Sequence, residues 1–282
     1  MKLTLLALSS VLSANAAVLG ERSVRVAREA ERAAPQVIGK PEGFASGATG
    51  GGNATCFTAD TPQQLQEWLE DDIPRCIVLR KEFDFKFKEG FTTELGCRPT
   101  TNTCPDKGGQ DAINKNGWCD DPATGQGSKP INVTYDNAAM NPINVGSNKS
   151  LIGIGKNGVI RGKGLHFANG VSNVIVQNVI ITELNPQYIW GGDAISLDGA
   201  EKIWIDHCRF TLIGNQMFVS SSAAANRVTV SNTEFNGHTN WSESCDGTHY
   251  WTFLAIGSVS PMNFHYLSRL IVQLLILTHR TT

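Results

Sequence analysis

Residues 148–234 repeat a short apolar–polar pattern, and this repeat restricts the fold more than any other feature of the chain. Four segments line up, at 149–155, 172–178, 201–207 and 226–232, with Gly153, Val176, Ile205 and Val230 at corresponding places, 23, 29 and 25 residues apart. Each segment alternates apolar and polar residues, the period of a strand whose successive side chains point to opposite faces. Gly, Asn and Ser fill the gaps and leave no room for crossover helices. Short parallel strands at such a period stack as a solenoid. Asn178, His207 and Asn232 close three successive units. Stacked side chains there are expected to bond as a ladder along the coil, and His207 is read as a member of that stack.

A solenoid needs a cover on its first coil, because an open end exposes core and unpaired strand edges. Residues 61–72 supply one: Leu65, Trp68 and Leu69 have helical spacing, Thr61 is a suitable N-cap, and Pro62 suits the first helical position. Ile77-Val78-Leu79 is then read as the first strand, with 81–89 extending from it.

The N-terminus points to export. Lys2, a short apolar stretch over 3–12 and Ala14-Asn15-Ala16 read as a signal peptide over 1–17, because the apolar run is far below the roughly 20 residues a membrane span needs. Residues 18–36 carry interleaved Arg and Glu and read as a pro-segment or solvated arm. Four N-glycosylation acceptors, Asn53, Asn132, Asn148 and Asn240, agree with a secreted, extracellular protein, as do seven cysteines. A formal net charge of -2 gives no basic field for nucleic acid. Neither a nucleic acid nor a membrane is expected as a partner.

Three motifs then carry a resemblance: Trp190-Gly191-Gly192-Asp193, Trp204-Ile205-Asp206-His207, and Cys245-Asp246-Gly247-Thr248-His249-Tyr250-Trp251. With the glycine-rich 42–52, Asn148-Lys149-Ser150-Leu151 and Asn185-Pro186-Gln187-Tyr188, they make 37–257 similar to the extracellular pectin lyases of the pectate lyase superfamily. The resemblance implies an all-β fold, a right-handed parallel β-helix, and pairing of Cys97 with Cys119 and of Cys104 with Cys245. Position alone suggests a third bridge, Cys56 to Cys76, flanking the cap helix. Cys208 is left as a buried thiol, and no close Cys-x-x-Cys pair supports a zinc site.

The implied substrate is pectin, an α-1,4-linked galacturonan with methyl-esterified carboxyls. Its eliminative cleavage removes the C5 proton, builds charge on the ester carbonyl and expels the O4-linked sugar, giving unsaturated oligogalacturonides. Such a site needs a base and stabilisation of the enolate-like charge. Asp193 is the expected catalytic residue, and Trp118, Tyr188, Trp190, Tyr250 and Trp251 are expected to stack on sugar rings. Asp193, Asp198 and Asp206 are present, but 211–222, where the resemblance implies the calcium-holding carboxylates, carries no such cluster, so no metal or other cofactor is expected. Calcium enters only with the alternative, a pectate lyase acting on de-esterified polymer. The other alternative, from a different class, is a non-catalytic carbohydrate-binding remnant.

The chain departs from the family pattern twice. Where the resemblance implies an arginine in the stretch after Trp204-Ile205-Asp206-His207, Asn215 stands in Ile213-Gly214-Asn215-Gln216. A permanent cation is replaced by a neutral amide. The family's proposed arginine base would lie beyond Gly257, where the resemblance stops. Residues 258–282 read as a foreign tail, with the form of translated intron, so the C-terminal coils are expected to be missing. A complete chain of this kind is expected to be a monomer.

Overall fold

The computed structural model describes residues 36–105, 108–221, 223, 225–250, 252–255, 262–265 and 269–271. The expected signal peptide, nearly all of the arm over 18–36, Trp251 and most of the tail lie outside the described residues.

Three parallel sheets wind into a right-handed β-helix. One contains Arg75–Leu79, Lys149–Gly153, Ser172–Gln177, Glu201–Asp206 and Asn226–Ser231 in adjacent coils. The inward side chains stack in register from coil to coil. In this sheet the stack is Ile77, Leu151, Val176, Ile205 and Val230. In the second it is Phe83, Ile160, Ile181, Phe210 and Phe235, and in the third Ile143, Leu165, Ile195, Phe218 and Phe253. All are buried, and together they form one continuous core. Each coil exposes apolar faces that only the next coil covers, which is why the sequence must repeat.

The sequence register needs one correction. Val176 faces Leu151 rather than Gly153. Gly153 stands at the corner instead, where an added Cβ would lie 1.9 Å from the Asn178 carbonyl oxygen. Glycine is therefore required there by contact with the next coil.

The corner residues also differ from the expected ladder. Asn178, His207 and Asn232 take φ values of 56°, 52° and 48°, the left-handed region that Asn tolerates best. They do not bond one another. Asn178 Nδ2 donates to the carbonyls of Gly153 and Gly155 at 2.8 and 3.0 Å. His207 Nδ1 and Asn232 Nδ2 both reach the Asp206 carboxylate, at 2.7 and 2.9 Å. Tight turning, rather than side-chain stacking, selects these residues.

The cap helix forms at Pro62–Glu70. Thr61 Oγ1 accepts the Gln64 N–H at 3.1 Å, and Gln64 Oε1 accepts the Asp60 N–H at 2.7 Å. Leu65 and Leu69 are fully buried on the end of the core. The coil begins one strand earlier than expected: Cys56–Thr58 pairs with Arg75–Leu79 and is joined to it by the Cys56–Cys76 disulfide. The Cys97–Cys119 and Cys104–Cys245 bridges are also present, and Cys208 is the free, buried cysteine.

A further sheet was not legible in the repeat. Phe91–Arg98 and Lys129–Asp136 form an antiparallel hairpin, extended by Asp111–Ala112 and by Tyr188–Ile189 from a coil loop. Asn185 clips it to the coil, accepting the Asp136 N–H at 2.9 Å and donating to the Asp136 carbonyl at 3.0 Å. Two short strands from the tail, Met262–His265 and Arg269–Ile271, add in parallel to Asn226–Ser231 and Glu234–Asn236.

Candidate functional site

The third sheet presents an outward row beside the loops that enter it. Asn144, His166 and Ser196 are register partners across three neighbouring coils. His166 Nδ1 lies 2.9 Å from Asn144 Oδ1. A cavity of about 140 Å³ opens over this row, and its lining includes His166, Ser196, Trp190, Asp193, Asn215 and Lys115. The coil thus gathers onto one surface residues that lie far apart in sequence.

Asp193 sits one residue into the loop end that leads to Ile195–Asp198. Its Oδ1 accepts the Asn215 side-chain amide at 2.8 Å and the Gln216 N–H at 2.9 Å. Oδ2 receives no hydrogen bond from the described residues. Burial pushes the Asp193 carboxyl up from its ordinary range, against the lowering effect of those two donors and of the charges of Lys115 and His166. Asn215 is itself buried and is held from behind by His249, whose Nε2 donates to the Asn215 carbonyl at 2.5 Å. Asn215 Oδ1 has no partner among the described residues.

The loop before Asp193 is bent by a close approach. Trp190 has φ 68°, and a Cβ on Gly192 would lie 2.3 Å from the Ala139 carbonyl oxygen. This bend turns Trp190 towards the groove, with Lys115 Nζ 5.7 Å from its ring centre. Trp118, Trp190 and Tyr250 pack against one cluster of Cys97, Ala112 and Ile189. Burial and the charge of Glu243 push the Tyr250 phenol well up.

Tyr188 is placed differently. It packs with Ile113, Val133 and Tyr135 under the hairpin, and its hydroxyl accepts the Thr134 N–H at 3.2 Å. Asp198 and Asp206 also lie away from the lining. Burial alone would raise Asp206, but hydrogen bonds from Asn232, Gln177, Ser231 and His207 outweigh it and hold the carboxyl down. Lys115 and His166 were missed by sequence reasoning. Neither lies in a motif, and only the folded loop and the sheet register bring them to Asp193.

Residues 121–242 match the pectate lyase family model. The chain is 52% identical over 231 residues to "Probable pectin lyase F-2" of Aspergillus terreus, covering 81% of this chain and 46% of that protein. It is 51% identical over 235 residues to "Pectin lyase" of Colletotrichum gloeosporioides, covering 82% and 60%. The chain is thus similar to the pectate lyase family over 121–242 and to these pectin lyases over most of its own length. The chain spans about half the length of the first curated relatives it matches. Among the solved structures the same fold recurs in a pectate lyase from Acidovorax avenae subsp. citrulli, at TM-score 0.53 and 17% identity over 83% of this chain and 64% of that one. A pectate lyase bound to a hexasaccharide gives 0.50 and 18% over 83% and 67%. Calcium takes about six to eight oxygen ligands, usually with several carboxylates among them. No group of three His, Cys, Asp or Glu side chains suited to a metal occurs among the described residues, and the groove lining contributes the single carboxylate of Asp193. That donor set does not fit a resident calcium ion.

Proposed function

We propose that this chain belongs to a secreted pectin lyase that cleaves methyl-esterified galacturonan by β-elimination. The observation carrying the reading is the pairing, in one groove, of a half-buried carboxylate, Asp193, with the cationic side chain of Lys115 and the imidazole of His166. Trp190 lines it, and Trp118 and Tyr250 pack on the same apolar cluster as that ring. An esterified sugar is neutral, so its binding rests on apolar and stacking contact, which these rings offer.

In this reading the substrate C5–H faces Asp193. Burial raises the proton affinity of that carboxylate and makes it a better base than an exposed one. As the proton moves to Asp193, charge develops on the ester carbonyl oxygen, and Lys115 and His166 stabilise it. The C4–O4 bond then breaks, a C4–C5 double bond remains, and the departing O4 is protonated from solvent. The protein supplies no covalent partner.

The test is direct. The chain is incubated with highly esterified pectin, and absorbance of the unsaturated product is followed for the wild type and for Asp193→Asn. Product formed by the first and lost in the second supports the reading. No product from the wild type overturns it. A second reading has its own observation: Asp193 Oδ1 already holds two donors, and Asn215 puts no charge beside it. This favours a carbohydrate-binding protein without chemistry, which pectin binding without unsaturated product would establish.

A further inference from the structure

A second cavity, of about 390 Å³, lies outside the groove and has no role in the elimination. Its lining includes Phe87, Phe91 and Trp241, with Asn185, Gln187 and Asn240 among the polar groups. Phe87 is 59% exposed and Phe91 56%, and their ring centres are 5.2 Å apart. Phe87 is held in a left-handed backbone conformation, φ 65°, by its N–H to Asp136 Oδ2 at 2.8 Å. A bulky residue at such a φ is unusual and costs free energy. Two adjacent exposed rings on a secreted surface also invite association.

Asn240 lines this same cavity, is exposed, and opens the tripeptide Asn240-Trp241-Ser242. That is the acceptor pattern for an N-linked glycan. The segment is firmly held: Ser242 Oγ donates to Asp246 Oδ1 at 2.7 Å, and Cys245 is tied to Cys104. We infer that the cavity is a seat for this chain's own glycan, in which the first N-acetylglucosamine residues attached to Asn240 lie over the Phe87 and Phe91 rings.

The chemistry suits that occupant. The apolar face of a pyranose packs on aromatic rings, and its hydroxyls and acetamide group find Gln187 beside them. Covalent attachment at the rim keeps the sugar at high effective concentration, so weak contacts suffice. Lys86, Glu183 and Asp136 also line the cavity, but Lys86 is ion-paired with Glu183, and Asp136 accepts from the Phe87 and Ala138 backbones. These charges are already neutralised or engaged, so a neutral sugar meets no net field. By contrast, Asn132 is an exposed acceptor on the outer hairpin and does not line this cavity.

The inference rests on export, but not on lyase activity, so an inactive chain would leave it standing. The full chain is secreted from a eukaryotic host, and glycan occupancy of the Asn240 peptide is read by mass spectrometry. Release by peptide-N-glycosidase is then timed on the native protein, for the wild type, Phe91→Ser and the Phe87→Ser/Phe91→Ser pair. Both rings are exposed, so these variants keep the core intact. Expected are an occupied Asn240 and native release about tenfold slower in the wild type than in the double variant, with the single variant between them, a difference of about 1.4 kcal/mol in seating. An unoccupied Asn240, or equal release rates in all three proteins, overturns the inference. Equal rates together with binding of added pectin oligomers to the aromatic pair would assign the cavity to a polymer in trans.

Discussion

The side-chain amide of Asn215 donates to Asp193 Oδ1 at 2.8 Å. This bond favours the ionised form of a carboxyl that burial otherwise raises. Replacing Asn215 with Ala removes the donor, so the Asp193 pKa rises further. If elimination requires ionised Asp193, the acid limb of the kcat/KM profile moves to higher pH in Asn215→Ala. Asp193→Asn is expected to lose activity by about a hundredfold or more. An unmoved acid limb in Asn215→Ala would remove Asp193 from the chemistry.

Lys149 is fully buried, and its ammonium donates to Asp71 Oδ1 at 2.5 Å and to the Ile73 carbonyl at 2.7 Å. Burial outweighs the pairing for Lys149 and pulls it down. For Asp71, burial is outweighed by hydrogen bonds from Arg75 and Lys149, which lower its pKa from 3.8 to about 2. A depressed folded-state pKa gives stability that is complete above the unfolded value. That stability is lost as pH falls from 3.8 towards 2. Asp71→Asn should therefore flatten the acid limb of stability and cost on the order of 3 kcal/mol near neutral pH, because it leaves a buried ammonium without its anion. Denaturant unfolding at a series of pH values checks both.

How far the sequence reveals this protein depends on how local each determinant is. The coil was legible because its inward stack, from Leu151 through Val230, recurs within one stretch of chain. The cap helix was legible because Thr61 and Pro62 set their own helix start. The resemblance supplied two disulfides and Asp193. The hairpin of Phe91–Arg98 with Lys129–Asp136 was not legible, since its pairing spans a long loop and has no repeat. Lys115 and His166 escaped for the same reason. One comes from a loop closed by Cys97–Cys119, the other from sheet register, and neither type of residue signals a groove on its own. The corner residues were noticed but misread, because turning and stacking both select Asn.

Burial pushes the Cys208 thiol up to about 12, and its Sγ lies 3.5 Å from the Val176 carbonyl. A maleimide should label no cysteine in the native chain and one after unfolding without reductant. Two or more labels under those conditions would break the assignment of three bridges.

The Cys97–Cys119 bridge closes a loop of sequence separation 22 that carries Lys115 to the groove. Replacing both cysteines with Ala should cost about 3 kcal/mol by the loop-entropy model. It should also lower kcat on esterified pectin, because the loop carries Lys115, which stabilises the developing charge, while Asp193 stays on the coil. Steady-state kinetics below the unfolding range separates the two effects.

In the proposed reaction one carboxylate, with Lys115 and His166 beside it, acts on a neutral, esterified polymer. The most direct measurement is unsaturated-product formation on galacturonans of graded esterification, each with and without a calcium chelator. Rates are expected to rise with esterification and to stay unchanged with chelator. Product formed only on de-esterified polymer, and abolished by chelator, would contradict it.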